Sequence, residues 1–256
     1  MIAAAALCPA APLLVRELTG GTLVLPELRD ACREVTGRLM AARPDVIAVV
    51  GAGPLTRSWD GASRLDVASF GPAAARRGPD GPAAAAGTPG LPSALGLGAR
   101  LLDEAGYAGP RLLQAVGPDE TPAACAAEGQ RLSRAAGRVA LLVMADGSAR
   151  RGRRAPGHLD ERSAGFDAGV ERAVRAGDLA ALAAVDPVLA RELMAAGRPA
   201  WQVMAGALAG RDLAVEVLYA GDPSGVAYLV AAVGVPAAAG AGAAGRPGSR
   251  GPGASQ

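Results

Sequence analysis

The residues best placed to do chemistry follow one apolar stretch. Residues 139–145 carry no polar side chain and run into Asp146-Gly147-Ser148, with Arg150, Arg151, Arg153 and Arg154 close behind. A run of Val, Leu and Met with no polar member is a strand buried on both faces, as in a parallel sheet. In open α/β sheets, sites form beyond the carboxyl ends of such strands. Guanidinium forks match the geometry of carboxylates and phosphates, so the arginine cluster is a candidate anion grip. A solvated basic turn paired with Asp160 and Glu161 would use the same residues without any ligand.

Other constellations are weaker. Asp146, Ser148 and His158 have the residue types of a hydrolase triad, but no G-x-S-x-G elbow holds the serine, and His158 falls in a Pro-Gly loop. An exposed loop histidine accounts for it. His158 is the only histidine of the chain, so any centre needing two imidazoles is excluded within one chain. That covers the two-His-one-carboxylate iron triad and most catalytic zinc sites. Cys8 ends an apolar run and could be a nucleophile, yet no basic partner is visible, and a buried structural thiol accounts for it. Val49-Val50-Gly51-Ala52-Gly53-Pro54 opens like a dinucleotide fingerprint, but Thr56 stands where the third glycine belongs. A strand-end turn fits it better.

Composition narrows the function classes. Of 256 residues, 50% are hydrophobic and only 3% aromatic, so the core rests on Ala, Val and Leu. Burial then gains less per residue, at roughly 25 cal/mol per Å2 of apolar surface. Lys and Asn are absent and every basic residue is Arg or the single His, a codon signature of a GC-rich genome such as an actinobacterium's. A formal net charge of +2 supplies no field for polyanions, which argues against nucleic acid. Cys8, Cys32 and Cys125 are widely spaced and odd in number, as in a reduced cytoplasmic protein. The apolar start before Cys8 lacks a basic flank and is too short for a lipoprotein signal. No segment approaches the ~20 apolar residues of a membrane span.

The elements that must position the candidates alternate. Residues 2–7 read as a buried strand closed by Cys8-Pro9-Ala10-Ala11-Pro12. Pro26 opens a helix whose face is Leu28, Ala31, Cys32, Val35 and Leu39. Residues 46–50 form the next strand, completing a βαβ unit. A more exposed strand is expected over 64–70 and a Gly, Pro and Ala loop over 71–90. Then come a helix at 93–104, a strand at 112–116 and a helix from Thr121-Pro122 to about 136, with Thr121 as its cap. Helices are expected at 161–176, 178–184, 187–196 and 199–209, followed by antiparallel strands at 213–219 and 225–233. From Pro236 the chain is Ala, Gly and Pro, and it reads as a disordered tail at 236–256. Residues 1–235 make one α/β domain with a central, largely parallel or mixed sheet and helices on both faces.

Several stretches in order resemble one family. Ala5-Ala6-Leu7-Cys8-Pro9-Ala10-Ala11-Pro12-Leu13-Leu14 resembles the first motif of the class III extradiol ring-cleavage dioxygenase (LigB-like) superfamily, which includes Memo-like proteins. Met144-Ala145-Asp146-Gly147-Ser148-Ala149-Arg150-Arg151, then Ala155-Pro156-Gly157-His158-Leu159-Asp160 and Phe166-Asp167, resembles a later motif. Residues 200–208 and Gly225-Val226-Ala227-Tyr228 resemble its last third. The resemblance implies the α/β fold expected above. It also implies, for active relatives, ferrous iron held by two histidines and a glutamate, with a further histidine as acid/base.

Those positions correspond here to Ala10, about Gly53, a residue near Ala195 and Ala149. None carries the required group. Glu192 lies one helical turn before Ala195, and one carboxylate does not make a centre. With no agent to hold the metal or relay the proton, the ring-cleavage reaction is not supported. The expectation is a degenerate branch, without its own cofactor, whose pocket survives at Cys8, Ala10, Gly51, Gly53, Asp146, Ser148, Ala149 and Arg150. It would take a small anionic or aromatic ligand. Two alternatives stand beside it: an oxidoreductase whose metal site is non-standard or completed by a partner chain, and a scaffold in a homo- or hetero-oligomer.

Overall fold

The computed structural model describes residues 1–22, 24–65 and 90–236. Among the described residues, seven strands form one sheet: β1 (Ile2–Cys8), β2 (Val46–Ala52), β3 (Arg57–Trp59), β4 (Arg111–Val116), β5 (Val139–Met144), β6 (Ala214–Gly221) and β7 (Tyr228–Gly234). Their order is β3-β4-β2-β5-β1-β7-β6. The central four (β4, β2, β5 and β1) are parallel, whereas β3, β7 and β6 each run antiparallel to the neighbour they pair with. The sheet is therefore mixed, with a parallel centre. β5 lies between β1 and β2, and both neighbours meet it in register over nearly its whole length.

That central place explains why β5 has no polar residue. Val139, Leu141, Val143 and Ala145 face one core, while Ala140, Leu142 and Met144 face the other. A strand with period-two alternation between two apolar environments must be apolar throughout. The second core is covered by α1 (Pro26–Ala41) and α2 (Ser93–Glu104), through Leu28, Cys32, Val35, Leu95 and Leu102. The first is covered by α3 (Pro122–Ser133), α4 (Arg162–Ala176), α5 (Leu179–Ala183) and α7 (Arg198–Leu208), through Leu132, Val170, Val174, Leu182 and Trp201. Between α5 and α7 lies the short α6 (Pro187–Glu192).

The helix starts follow from capping chemistry. Thr121 Oγ1 accepts the Ala124 N–H at 3.1 Å and Asp186 Oδ1 accepts the Val188 N–H at 2.8 Å, each just ahead of a proline in the first turn. With few aromatic side chains to fill space, α3 and α7 meet backbone to backbone. A Cβ on Gly129 would strike the Val203 carbonyl, and one on Gly206 would strike the backbone of Ala126. Close approach takes the place of large side chains in keeping this interior dense.

Some expectations need correction. A strand occupies Arg57–Trp59, a polar segment too short to show alternation; it pairs with β4, and the Arg57 guanidinium lies 5.1 Å from the centroid of the Trp59 ring. Of the strand expected at 64–70, residues 66–70 lie outside the described residues, as do 71–89 of the expected loop and 237–256 of the tail. α3 stops at Ser133 and α6 at Glu192, both earlier than periodicity suggested. Two residues past α6, Met194 adopts a left-handed φ of 55°, which no helix continues. Among the described residues, no helix is long and apolar enough to cross a membrane.

Candidate functional site

The parallel register brings three strand ends to one edge. Cys8 of β1 and Gly51 of β2 sit opposite Met144 of β5, one on either side. Beyond that row the Ala145 N–H donates to the Cys8 carbonyl at 2.8 Å. Asp146 comes next: its Oδ1 accepts the Ala10 N–H at 2.8 Å, and its backbone carbonyl accepts the Gly197 N–H at 2.9 Å. Asp146 thus ties the loop after β1 to the start of α7. It keeps some solvent contact yet is surrounded by protein, and burial pushes its carboxyl up to about 6, against the opposing pull of the Ala10 N–H. Tyr228 at the start of β7 is pushed up to about 12, first by burial and then by the charge of Asp146.

At Gly147 the chain turns away. A side chain there would press on Ala227 Cβ and Asp167 Oδ1, both at 2.7 Å, so only glycine fits. Ser148 then points to the far side. Fully buried, it donates its N–H and its hydroxyl to the two oxygens of Asp167, at 2.8 and 2.5 Å. Burial raises the Asp167 carboxyl above its ordinary range, while the two Ser148 bonds oppose the rise. Arg151 Nε lies 2.8 Å from Asp222 and 3.8 Å from Asp167. The four residues form one polar cluster, open to solvent at Asp222.

Ala149 and Arg150 lie on the near side. The Ala149 N–H donates to the Leu193 carbonyl at 3.1 Å, and its own carbonyl accepts the Gly157 N–H at 2.9 Å. The Arg150 stem lies against Gly157, where Met194 also closes in. Its carbonyl accepts the Asp160 N–H and the Ser163 hydroxyl. Its guanidinium makes no ion pair among the described residues, and its Nε is buried with no hydrogen-bond partner there. Asp160, the expected partner, is engaged by Arg162, which also holds Glu192 at 2.6 Å. Arg153 and Arg154 are exposed.

The remaining candidates have structural accounts. Cys8 is fully buried, and its thiol is raised by a hydrogen bond with Cys32 and by burial, the opposite of nucleophile activation. A Cβ on Gly51 would meet Ala94 Cβ, and one on Gly53 would meet Ala115 Cβ, each at 2.7 Å. These glycines let the segment that opens α2 pack against the end of β2. His158 is exposed, with a left-handed φ of 58°.

Ala10 and Ala149 are therefore drawn to the surroundings of Asp146 and Arg150, and Ala195 lies two residues before Gly197, which bonds Asp146. Gly53 packs toward β4 and Ser148 faces away. The positions that resemblance sets against iron ligands hold no donor side chain, so they do not fit a ferrous centre. Among the described residues, no group of three His, Cys, Asp or Glu comes together in a way that could hold a metal ion.

In the sequence, Asp167, Trp201 and Tyr228 stand only inside motifs, with no role of their own. Asp167 carried a usable signal, because it lies one turn before Val170 on the buried stripe of α4, where a carboxylate needs a partner. Asp222, in the turn between β6 and β7, carried none.

No protein-family model matches the chain, and no curated protein matches it. Among solved structures, the chain is similar to the uncharacterized protein JW3007 from Escherichia coli K12. The match has 15% identity and a TM-score of 0.54, covering 90% of this chain and 98% of that one. At that identity the likeness is one of fold, and it supports the single α/β domain.

Proposed function

We propose that this chain binds a small anion at the carboxyl edge of its sheet, between Arg150 and the Asp146 ledge. The scaffold is that of the LigB-like superfamily, without the superfamily's ferrous centre. One observation carries this reading: Arg150 is the arginine of its cluster whose side chain is partly buried and yet unpaired, with a buried Nε that has no acceptor among the described residues. Leaving a buried donor unmade costs about 1–3 kcal/mol, and a planar carboxylate or phosphate is the group that a guanidinium fork satisfies best. Tyr228, raised by burial, stays a neutral hydroxyl, whereas Asp146, pushed up to about 6, is neutral only below that pH, so anion binding should strengthen as pH falls through about 6. A ring carried by the anion would meet Met194, which is 45% exposed and packs with the Arg150 stem at Gly157. Aromatic carboxylates are therefore the favoured class.

No catalytic step is assigned. Ring cleavage would require iron, and Ala10, Gly53, Ala149 and the chain around Ala195 offer nothing to hold it. The test uses the purified full-length protein, titrated calorimetrically with benzoate and with inorganic phosphate, alongside anaerobic loading with ferrous iron. Saturable benzoate binding without stoichiometric iron is the expected result. Near-stoichiometric iron accompanied by oxygen uptake on a catechol would overturn the reading.

A further inference from the structure

On the far side of Gly147 lies a cavity of about 230 Å3, opening between α4, the β6–β7 turn and Trp201. Arg150 and Asp146 are not among its lining residues, although Tyr228 is. Its charged lining is Arg151, Asp167, Glu171 and Asp222. One guanidinium therefore faces three carboxylates, and Arg151 is already shared between Asp222 and Asp167. Glu171 also holds Arg175 from outside the lining. The balance at the cavity wall favours a cation.

A second feature is independent of these charges. Trp201 lines the cavity and is 2% exposed, yet its indole N–H has no partner among the described residues. Buried indole donors ordinarily find an acceptor, so an occupant that supplies one removes the penalty. Val170 and Leu229 add apolar wall to the same space. The volume lies below the roughly 300–1,000 Å3 of pockets for drug-sized ligands, which sets the occupant at the size of a single amino acid.

We propose that this cavity is a second binding site, for a small primary ammonium compound that also carries a hydrogen-bond acceptor, such as an amino acid or amino alcohol. The ammonium donates to Asp222 and Asp167, the acceptor takes the Trp201 N–H, and the aliphatic body lies against Val170 and Leu229. Desolvation of Asp167 by the surrounding protein makes an added cation more favourable there than at an exposed carboxylate.

The probes are L-leucine, L-leucinol, isoamylamine (ammonium only) and isocaproate (carboxylate only), titrated calorimetrically into the full chain. Leucine or leucinol should bind, and isoamylamine should bind more weakly. Asp222→Asn, at a half-exposed position, should weaken leucine binding about tenfold or more through loss of a charge-assisted hydrogen bond. Trp201→Phe should lower leucine affinity while leaving isoamylamine unchanged, and Arg150→Ala should leave leucine binding intact. Absence of binding by both leucine and leucinol, or leucine affinity indifferent to Asp222→Asn, would overturn the proposal. Loss of leucine binding in Arg150→Ala would overturn it too, by moving the ligand to the other side of the loop.

Discussion

Arg150 and Arg151 are neighbours in the chain and opposites in the fold. Arg151 turns to the far side of the β5 exit, where Asp222 and Asp167 take its charge and Ser148 completes the cluster. Arg150 turns instead toward Gly157 and Met194, and although its charge reaches Asp160, its guanidinium has no carboxylate within ion-pair distance among the described residues. The same residue type, one position apart, is structural in one place and unsatisfied in the other. The general lesson is that basic residues in a loop become informative only when their partners are counted. A paired arginine holds the fold, and an unpaired, partly buried one asks for a ligand.

That contrast can be broken from either side. The largest effect belongs to Asp167→Ala, which strips the fully buried Ser148 of both acceptors. Denaturant unfolding should show a loss of about 3 kcal/mol, with Asp167→Asn losing clearly less because it keeps an acceptor for the Ser148 N–H. Asp146→Asn comes next and sharpens the near side. The folded carboxyl titrates at about 6, above its ordinary 3.8, so the native state holds the proton more tightly than the unfolded chain.

Stability from this group is full below about pH 4 and lost as pH rises through about 6, a change of about 2 kcal/mol after allowing for its solvent contact. The asparagine variant should flatten that slope and be the more stable protein at pH 7. The smallest effect separates the two arginines themselves. Without ligand, Arg151→Ala should cost about 1 kcal/mol, whereas Arg150→Ala should cost nothing measurable or stabilise slightly, since an unmade buried donor is removed. Equal losses in the two variants would mean that Arg150 is held by partners too.

Much of the scaffold is legible in the chain itself. β5 announces itself because a strand buried on both faces must be apolar at every position. Thr121 and Asp186 announce helix starts because a capping oxygen and a proline have few other uses in that order. Asp146 and Arg150 could be placed at a strand's carboxyl end for the same reason. What sequence could not convey was side. Asp146, Ser148, Arg150 and Arg151 lie within six residues, and whether each faces α4 or the loop after β1 is decided by Gly147 and by chain that arrives much later. Arg151 seemed to belong with Asp160 and Glu161, but its partner Asp222 is 71 residues away. β3 was invisible because three residues show no period, and the end of α6 because the left-handed turn at Met194 has no glycine to mark it.

The central claim is that the anion site belongs to Arg150 and not to its neighbour. The most direct measurement is the benzoate-induced rise in melting temperature of wild type, Arg150→Ala and Arg151→Ala, at matched pH and ionic strength. At a concentration about a hundredfold above Kd, the wild-type rise should be roughly 5 °C or more. The account predicts that Arg151→Ala melts lower but keeps that rise, and that Arg150→Ala loses it. A full rise retained in Arg150→Ala would contradict the account.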